Sequence, residues 1–351
     1  MEVINYNYKI LEKKINLGIE VLRMILSFFI VVIHCCNSHN SNLKILHFHS
    51  RYSPFYVPTF FLISFFFSYK SFISKNIEKI KFRFKRILIP YITWPLILWI
   101  RNNIIYYQNK NIDNNNDSSN ITLKRLYYQI LIGYGIHEVF WFLFNLIFIS
   151  LFFVIIIFSF KKYLYILFLI GILSYYFNCS GMSYKLFIKY SEYPVQFSIK
   201  PIFLTLLYSV TGVLLSSSNI LDKIHFYRLK NIYILIIFIF LIEINDIRSI
   251  NSYYNGLFKV FIIISVFLIF AMLPFDRINN YYVLSSIKQF TKYTGGIYYL
   301  HTEIMNNFQK YIKIIANRTF KGCFLIYLIS YFICFIGSKL FRNSDIKFLF
   351  N

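Results

Sequence analysis

The chain has 351 residues, of which 58% are hydrophobic and 22% aromatic, and its formal net charge is +23. An apolar content well above the roughly 45–50% of soluble domains excludes an ordinary soluble enzyme and indicates an integral membrane protein. The basic residues lie mainly in short links between apolar runs, where Lys and Arg orient membrane segments, so the charge does not indicate nucleic-acid binding.

Apolar windows of near-spanning length follow one another along the chain and predict an all-α, polytopic membrane bundle of about ten transmembrane helices. No polar block between them is large enough for a second domain, so we expect a single membrane domain over 1–351. The windows lie near 17–36, 54–73, 87–107, 139–160, 163–178, 201–217, 231–245, 256–274, 293–312 and 320–340.

The links between the windows differ in Lys and Arg content, and the more basic set predicts the cytoplasmic side. This orientation predicts a multi-pass protein of the plasma (cytoplasmic or inner) membrane with both termini in the cytoplasm. The first window is too long for a signal-peptide core and lacks a small-residue cleavage site, so we expect it to remain as a helix. Membrane lipids are therefore expected partners.

Segments outside the windows carry predictions of their own. The stretch 108–120 is too rich in Asn and Asp to bury surface and predicts an outer loop. The stretch 126–139 is too short and too polar to cross, which predicts a re-entrant segment. Neither the five cysteines nor the histidines within 39–49 show metal-ligand spacing, so we expect no metal.

The first window carries Arg23 and His34, eleven residues apart. In a helix, eleven residues return to within about 20° of the starting face after a rise of about 16 Å, so both side chains lie on one stripe. Glu20 lies three residues before Arg23 on the same face and can pair with it. Ionisable groups inside a span usually pair, line a wet cavity or serve a function. The alternative is that Arg23 snorkels to the inner headgroups and His34 lies at the outer interface.

Five motifs along the chain resemble successive helices of the acyltransferase-3 family. The members of this family are multi-pass membrane enzymes that acylate sugars of surface polysaccharides and other acceptors. In chain order the motifs are IEVLRMILSFFIVVIH, VPTFFLISFFFSYK, RFKRILIPYITWPL, HEVFWFLFNLIFISLF and GGIYYLHTEI. Two positions depart from the family pattern: Phe65 follows Ser64 where Gly is usual, and Thr302 follows His301 where Pro is frequent.

The resemblance implies an O-acyltransferase that moves an acyl group, usually acetyl, from cytoplasmic acyl-CoA to a hydroxyl of a cell-surface glycan or its lipid-linked precursor. It makes His34, Arg23 and Glu20 the expected catalytic group. An imidazole with a pKa near 6.5 suits a general base, and an arginine can hold the CoA arm or stabilise developing negative charge. Direct transfer and a relay through an acylated His34 both fit these residues.

Arg83 and Arg86 are the expected binding residues for the donor acetyl-CoA, because guanidinium groups bind phosphates bidentately. The alternative is that they only orient the chain. Further residues are candidates for binding the acceptor. These residues are His137, Glu138, Trp141, His301 and Glu303. Two of them, His137 and Glu138, could instead orient His34, and with Trp141 their alternative is membrane anchoring. For His301 and Glu303, which could build the cavity or its polar network, the alternative is packing.

A polytopic transporter or flippase for a lipid-linked sugar or small metabolite is the main alternative function, since it too places charged residues inside a bundle. Two matching halves with Gly or Pro breaks would favour it, but the chain has 11 Gly and no visible symmetry of this kind. A membrane scaffold or sensor would leave Arg23 and His34 unexplained. The sequence gives no indication of oligomeric state.

Overall fold

The computed structural model describes residues 2–35, 44–110, 123–133, 140–179, 193–218, 252–272, 281–308 and 320–351. These residues form helices joined by short turns and include no strand, so the predicted all-α class is confirmed for this part of the chain. In chain order the elements are α1 (Glu2–Cys35), α2 (Lys44–Ile73), α3 (Ile77–Lys110), α4 (Leu123–Ile132), α5 (Trp141–Ser159), α6 (Tyr163–Cys179), α7 (Tyr193–Ser217), α8 (Ser252–Met272), α9 (Tyr281–Lys292), α10 (Thr294–Phe308), α11 (Phe320–Leu340) and a 3-10 helix (Asp345–Leu349).

Four of the described helices contain a segment long and apolar enough to cross a membrane, and three more contain a shorter apolar segment. All of these segments lie inside predicted windows. The four longer segments are Leu17–His34, Phe55–Ile73, Trp141–Ser159 and Phe320–Leu340, and the shorter ones are Tyr163–Phe177, Thr205–Ser217 and Lys259–Ala271.

The predicted number of ten spans is not confirmed by the described residues. In α3 the polar run 101–103 interrupts the apolar window. Helix α10 has only 15 residues and carries His301 and Glu303. The predicted window 231–245 lies outside the described residues.

Helix α5 separates its side chains into an exposed face and a buried face, although nearly all of them are apolar. Phe148, Leu151, Ile155 and Phe158 are exposed and recur at the spacing of one helix face. An exposed stripe made only of large apolar side chains suits contact with lipid. This face is what the predicted membrane location requires.

Helix α4 occupies the first half of the predicted re-entrant segment. The hydroxyl of Tyr91 on α3 donates to the carbonyls of Gln129 and Ile130, at 2.8 and 2.7 Å. Gly133 follows the helix with a φ of 75°, a conformation that favours glycine. Residues 134–139 lie outside the described part of the chain, so the re-entrant path itself stays a prediction.

The chain forms two compact units. The first unit comprises Met1–Lys70, Tyr208–Gly337 and Phe350–Asn351, and the second comprises Ser71–Leu207 and Ser338–Leu349. The single membrane domain expected over 1–351 stays a prediction.

In the first unit, α1 packs against α8, α9 and α10. Ile19, Leu22 and Val31 of α1 are at most 1% exposed. Phe28 packs edge to face against Tyr327 of α11, with ring centroids 5.5 Å apart. Helix α1 is therefore held on more than one side by apolar contacts, although it also carries Arg23 and His34.

Gly212 of α7 marks a close backbone approach within the first unit. A Cβ atom at this position would clash with the carbonyl oxygen of Leu62 on α2 and would lie 3.0 Å from the amide nitrogen of Phe66. Small residues allow helix backbones in membranes to approach in this way.

We expect Gly212→Ala to destabilise the protein by about 1–3 kcal/mol, because the added methyl group meets backbone atoms that cannot rotate away. Thermal unfolding in detergent, followed by intrinsic fluorescence, measures the change. Ser216→Ala, one turn along the same helix, is the control because it removes an atom. Equal stability of the two variants would contradict the close approach.

In the second unit, α3 packs against α4, α5 and the 3-10 helix. Phe348 of the 3-10 helix is 3% exposed and packs edge to face on Phe82 of α3, with centroids 5.4 Å apart. The indole nitrogen of Trp94 donates to the carbonyl of Leu349 at 3.3 Å. The C-terminal segment thus packs on the helix that carries Arg83 and Arg86.

We expect Phe348→Ala to lower the free energy of unfolding by about 3 kcal/mol or more, as for other buried aromatic truncations. Asp345→Asn provides the contrast, because it removes only the ion pair with Lys85. The side chains of Lys85 and Asp345 are 59% and 57% exposed. Exposed ion pairs contribute less than about 1 kcal/mol. Thermal unfolding in detergent compares the two variants. A larger loss of unfolding free energy for Asp345→Asn than for Phe348→Ala would contradict apolar packing of the 3-10 helix on α3.

Candidate active site

The N-terminal part of the predicted α1 stripe meets the start of α10. Arg23 donates from Nη2 to the hydroxyl of Thr294 at 3.1 Å. The same hydroxyl donates to the carbonyl of Thr291 at 3.0 Å, so Thr294 accepts from the arginine with its own proton already committed. The Thr294 side chain is therefore fixed from both sides.

The position of Thr294 depends on tight packing at the start of α10. A Cβ atom at Gly295 would lie 2.6 Å from the carbonyl oxygen of Asn351, and one at Gly296 would lie 2.6 Å from that of Phe350 and 2.5 Å from the sulfur of Cys334. Only glycine fits between these atoms. The Gly295–Gly296 pair thus allows the last two residues to pack beside the arginine contact.

The C-terminal part of the stripe also faces α10. The rings of His34 and His301 have centroids 5.2 Å apart and planes inclined by 43°. His301 is 0% exposed, and its Nδ1 lies 3.1 Å from the carbonyl oxygen of Ile297. His34 is exposed. The exposed imidazole of His34 therefore contacts the buried imidazole of His301.

Ser27 continues the polar stripe between these two ends and was missed in the sequence analysis. It donates to the carbonyl of Met24 at 2.8 Å, so the Tyr327 hydroxyl must donate in the 3.1 Å contact that joins Tyr327 to Ser27. Ser27 lies four residues after Arg23, within about 40° of it around the helix. The four-residue spacing from Arg23 could have identified Ser27 as part of the stripe.

Glu20 lies at the N-terminal end of the same stripe and is half-buried. The positive charges of Arg23 and of Lys288 on α9 lie near enough to act on it. The direct pair of Glu20 with Arg23 stays a prediction. The Oε2 atom of Glu20 is buried without a hydrogen bond to any described residue. Glu20 thus lies in the electrostatic field of cations on two helices, α1 and α9.

Arg83 and Arg86 belong to the second unit and have different surroundings. Arg83 is half-buried, with Nη2 3.5 Å from the hydroxyl of Ser150 and its guanidinium carbon 5.6 Å from the ring centroid of Phe72. Burial, with the nearby charge of Arg86, lowers the pKa of Arg83 to about 9, so it remains a cation at neutral pH. Arg86 is exposed.

The remaining candidates are only partly described. Trp141 is half-buried at the first turn of α5, and Glu303 is half-buried two residues after His301 on α10. His137 and Glu138 lie outside the described residues. Within the part of the chain that the structure describes, no group of three or more His, Cys, Asp or Glu residues could hold a metal ion.

The structure thus places Glu20, Arg23 and His34 along α1 in the first unit, with Thr294 at Arg23 and His301 at His34. Thr294 and Ser27 are the residues of this stripe that sequence reasoning missed. The family model described as an acyltransferase domain, acyltransferase-3, matches residues 16–342. No curated protein and no solved structure matches the chain. The match covers nearly the whole chain and includes every candidate residue, so the protein belongs to the acyltransferase-3 family.

Proposed function

We propose that the protein is a membrane O-acyltransferase that moves an acetyl group from acetyl-CoA on the cytoplasmic side to a hydroxyl of a cell-surface glycan or its lipid-linked precursor. The observation that carries the proposal is that one face of α1 presents Arg23 to Thr294 and His34 to His301, in a chain of an acyltransferase family. An accessible base and a cation on one helix face can assist acyl transfer from a thioester, the base by taking the hydroxyl proton and the cation by stabilising the oxyanion.

His34 acts as the general base in this proposal. It takes the proton of the acceptor hydroxyl while the hydroxyl oxygen attacks the thioester carbonyl. The carbon–sulfur bond then breaks, CoA leaves as a thiolate, and the proton passes from His34 to that sulfur. Exposure of His34 supports this role, because a base must be within reach of a substrate hydroxyl.

The arginines bind and stabilise charge. Arg23 is held by Thr294 within the span, where a guanidinium can bind the CoA arm or stabilise the oxyanion that forms at the carbonyl. Arg83 and Arg86 bind the phosphates of CoA on the cytoplasmic side. Their different exposure supports a division in which Arg86 meets phosphate first and Arg83 contributes from its contact with Ser150.

Purified protein in detergent with radiolabelled acetyl-CoA tests the proposal. We expect binding of acetyl-CoA and slow release of labelled acetate, with water replacing the acceptor. A transporter or flippase for a lipid-linked sugar would neither bind acetyl-CoA nor cleave the thioester, and that result would reject the proposal.

We expect His34→Ala to lower thioester cleavage about 100-fold or more, since general bases contribute about 10²- to 10⁴-fold. Protein yield and the dissociation constant of acetyl-CoA should stay within about twofold, because this substitution removes the base and leaves the phosphate contacts. Ile33→Val, at the adjacent position, is the control. Loss of folded protein with His34→Ala, together with normal activity of His34→Asn, would support a purely structural role.

We expect Arg83→Lys and Arg86→Lys each to weaken acetyl-CoA binding about tenfold, because lysine keeps the charge but cannot make bidentate phosphate contacts. Lys79→Ala is the control, since Lys79 is exposed on the same helix and its loss removes a charge. Isothermal titration with acetyl-CoA measures the affinities. Unchanged affinity in both arginine variants would mean that Arg83 and Arg86 only orient the chain in the membrane.

A further inference from the structure

The hydroxyl of Thr294 makes two hydrogen bonds, one as a donor and one as an acceptor. It donates to the carbonyl of Thr291 at 3.0 Å and accepts from Nη2 of Arg23 at 3.1 Å. A hydroxyl has a single proton, so the bond to the Thr291 carbonyl leaves only lone pairs for the arginine. Thr294 therefore offers Arg23 an acceptor of fixed orientation.

This acceptor lies inside the protein, at the turn between α9 and α10. Thr291, Tyr293 and Thr294 are at most 4% exposed. The amide of Tyr293 donates to the carbonyl of Phe290 at 3.2 Å, which closes the turn. Away from water a hydrogen bond is electrostatically stronger than at the surface. The bond thus directs Nη2 of Arg23 into protein, whereas an arginine that snorkels extends towards lipid headgroups.

Helix α10 presents Thr294 on the same face as His301. The two residues are seven positions apart, which places them within about 20° of each other around the helix. The rings of His34 and His301 have centroids 5.2 Å apart. The cation and the base of the proposed reaction therefore both meet this one face of α10.

We propose that Thr294 is a positioning residue, whose hydroxyl orients the guanidinium of Arg23 towards the bound acetyl-CoA. This inference rests on the proposed function, in which Arg23 binds the CoA arm or stabilises the oxyanion. Arg23 takes part in other interactions as well, so Thr294 contributes one part of its orientation. A hydroxyl is uncharged and orients the guanidinium without cancelling its positive charge, which a carboxylate in the same place would do.

Substitutions of Thr294 separate the effect of its hydroxyl from that of its volume. Thr294→Val keeps the shape but lacks the acceptor, and we expect kcat/KM for acetyl-CoA cleavage to fall about tenfold. Thr294→Ala also lacks the acceptor and should show the same loss, so it replaces Thr294→Val if that variant does not fold. Thr294→Ser keeps the hydroxyl and should stay within about threefold of wild type. Equal losses in Thr294→Ser and Thr294→Val would overturn the inference.

Thr59→Val is the matched control. Thr59 is buried in the first unit, and its hydroxyl donates to the carbonyl of Phe55 at 2.6 Å. The substitution removes a buried bond from a hydroxyl to a carbonyl, as Thr294→Val does, but it does not remove the acceptor of Arg23. We expect its kcat/KM to stay within about twofold of wild type. A loss of activity as large as that of Thr294→Val would mean that general destabilisation causes both losses, and would overturn the inference.

A double-mutant cycle tests whether Thr294 acts through Arg23. We expect Arg23→Ala/Thr294→Val to be at most about twofold less active than Arg23→Ala, because the acceptor has no effect on catalysis once its donor is gone. Losses that multiply in the double variant would mean that Thr294 acts independently of Arg23, and would overturn the inference.

Nitrogen NMR of arginine-labelled protein tests the contact without any activity. The signals of Arg23 are assigned by their loss in Arg23→Ala. We expect the Nη2 signal to move in Thr294→Val and Thr294→Ala, and to keep its wild-type position in Thr294→Ser and Thr59→Val. An Nη2 signal that does not move in Thr294→Val would overturn the inference alone. Inactivity of the wild type towards acetyl-CoA, with the expected Nη2 signals, would reject the proposed function and leave the contact in place.

Discussion

The hydrogen bond from Arg23 to Thr294 is the constraint on which the first unit depends. A guanidinium inside an apolar helix needs a partner, because its transfer into a bilayer without one costs several kcal/mol. Thr294 accepts this bond and is itself held by the carbonyl of Thr291. The bond therefore joins α1 to the first turn of α10, and the same pair of helices meets again at His34 and His301.

The polar side chains within Leu17–His34 of α1 are not spread evenly around the helix. Glu20, Arg23, Ser27 and His34 share one face, while Ile19 and Val31 are buried among apolar neighbours. Each described group has a nearby hydroxyl, ring or charge on α9, α10 or α11. A helix whose polar groups have partners on neighbouring helices can carry ionisable side chains within an apolar segment.

Helical periodicity explains how much of the site was predictable. Arg23 and His34 were found because charged residues are conspicuous in an apolar window and eleven residues restore the helix face. Their partners on α10 could not be found in this way, because contacts between residues more than 250 positions apart depend on helix packing. Arg83 and Arg86 were correctly placed on one helix, but periodicity does not reveal that Arg83 contacts Ser150 while Arg86 stays exposed.

The all-α class followed from composition, whereas the number of spans did not. A window average treats Arg101 and His301 as small corrections, although each marks a helix whose length or composition falls outside the simple rule for a span. Helices that carry such residues must be counted by their packing against protein. A hydropathy count alone therefore does not identify α3 and α10 as spans, although both carry candidate residues, whereas α1 meets the rule.

The start of α10 contacts the C-terminal residues, through Gly295 with Asn351 and Gly296 with Phe350. Substitutions in these two distant parts of the sequence therefore depend on each other. A mutation that adds a side chain at Gly296 displaces the carbonyl of Phe350 or the sulfur of Cys334. Such a change can persist in a lineage only when a second change makes room at one of those sites. Substitutions at the end of the chain and at the start of α10 are therefore tolerated mainly in combination. This limits which substitutions can occur next to the contact between Arg23 and Thr294.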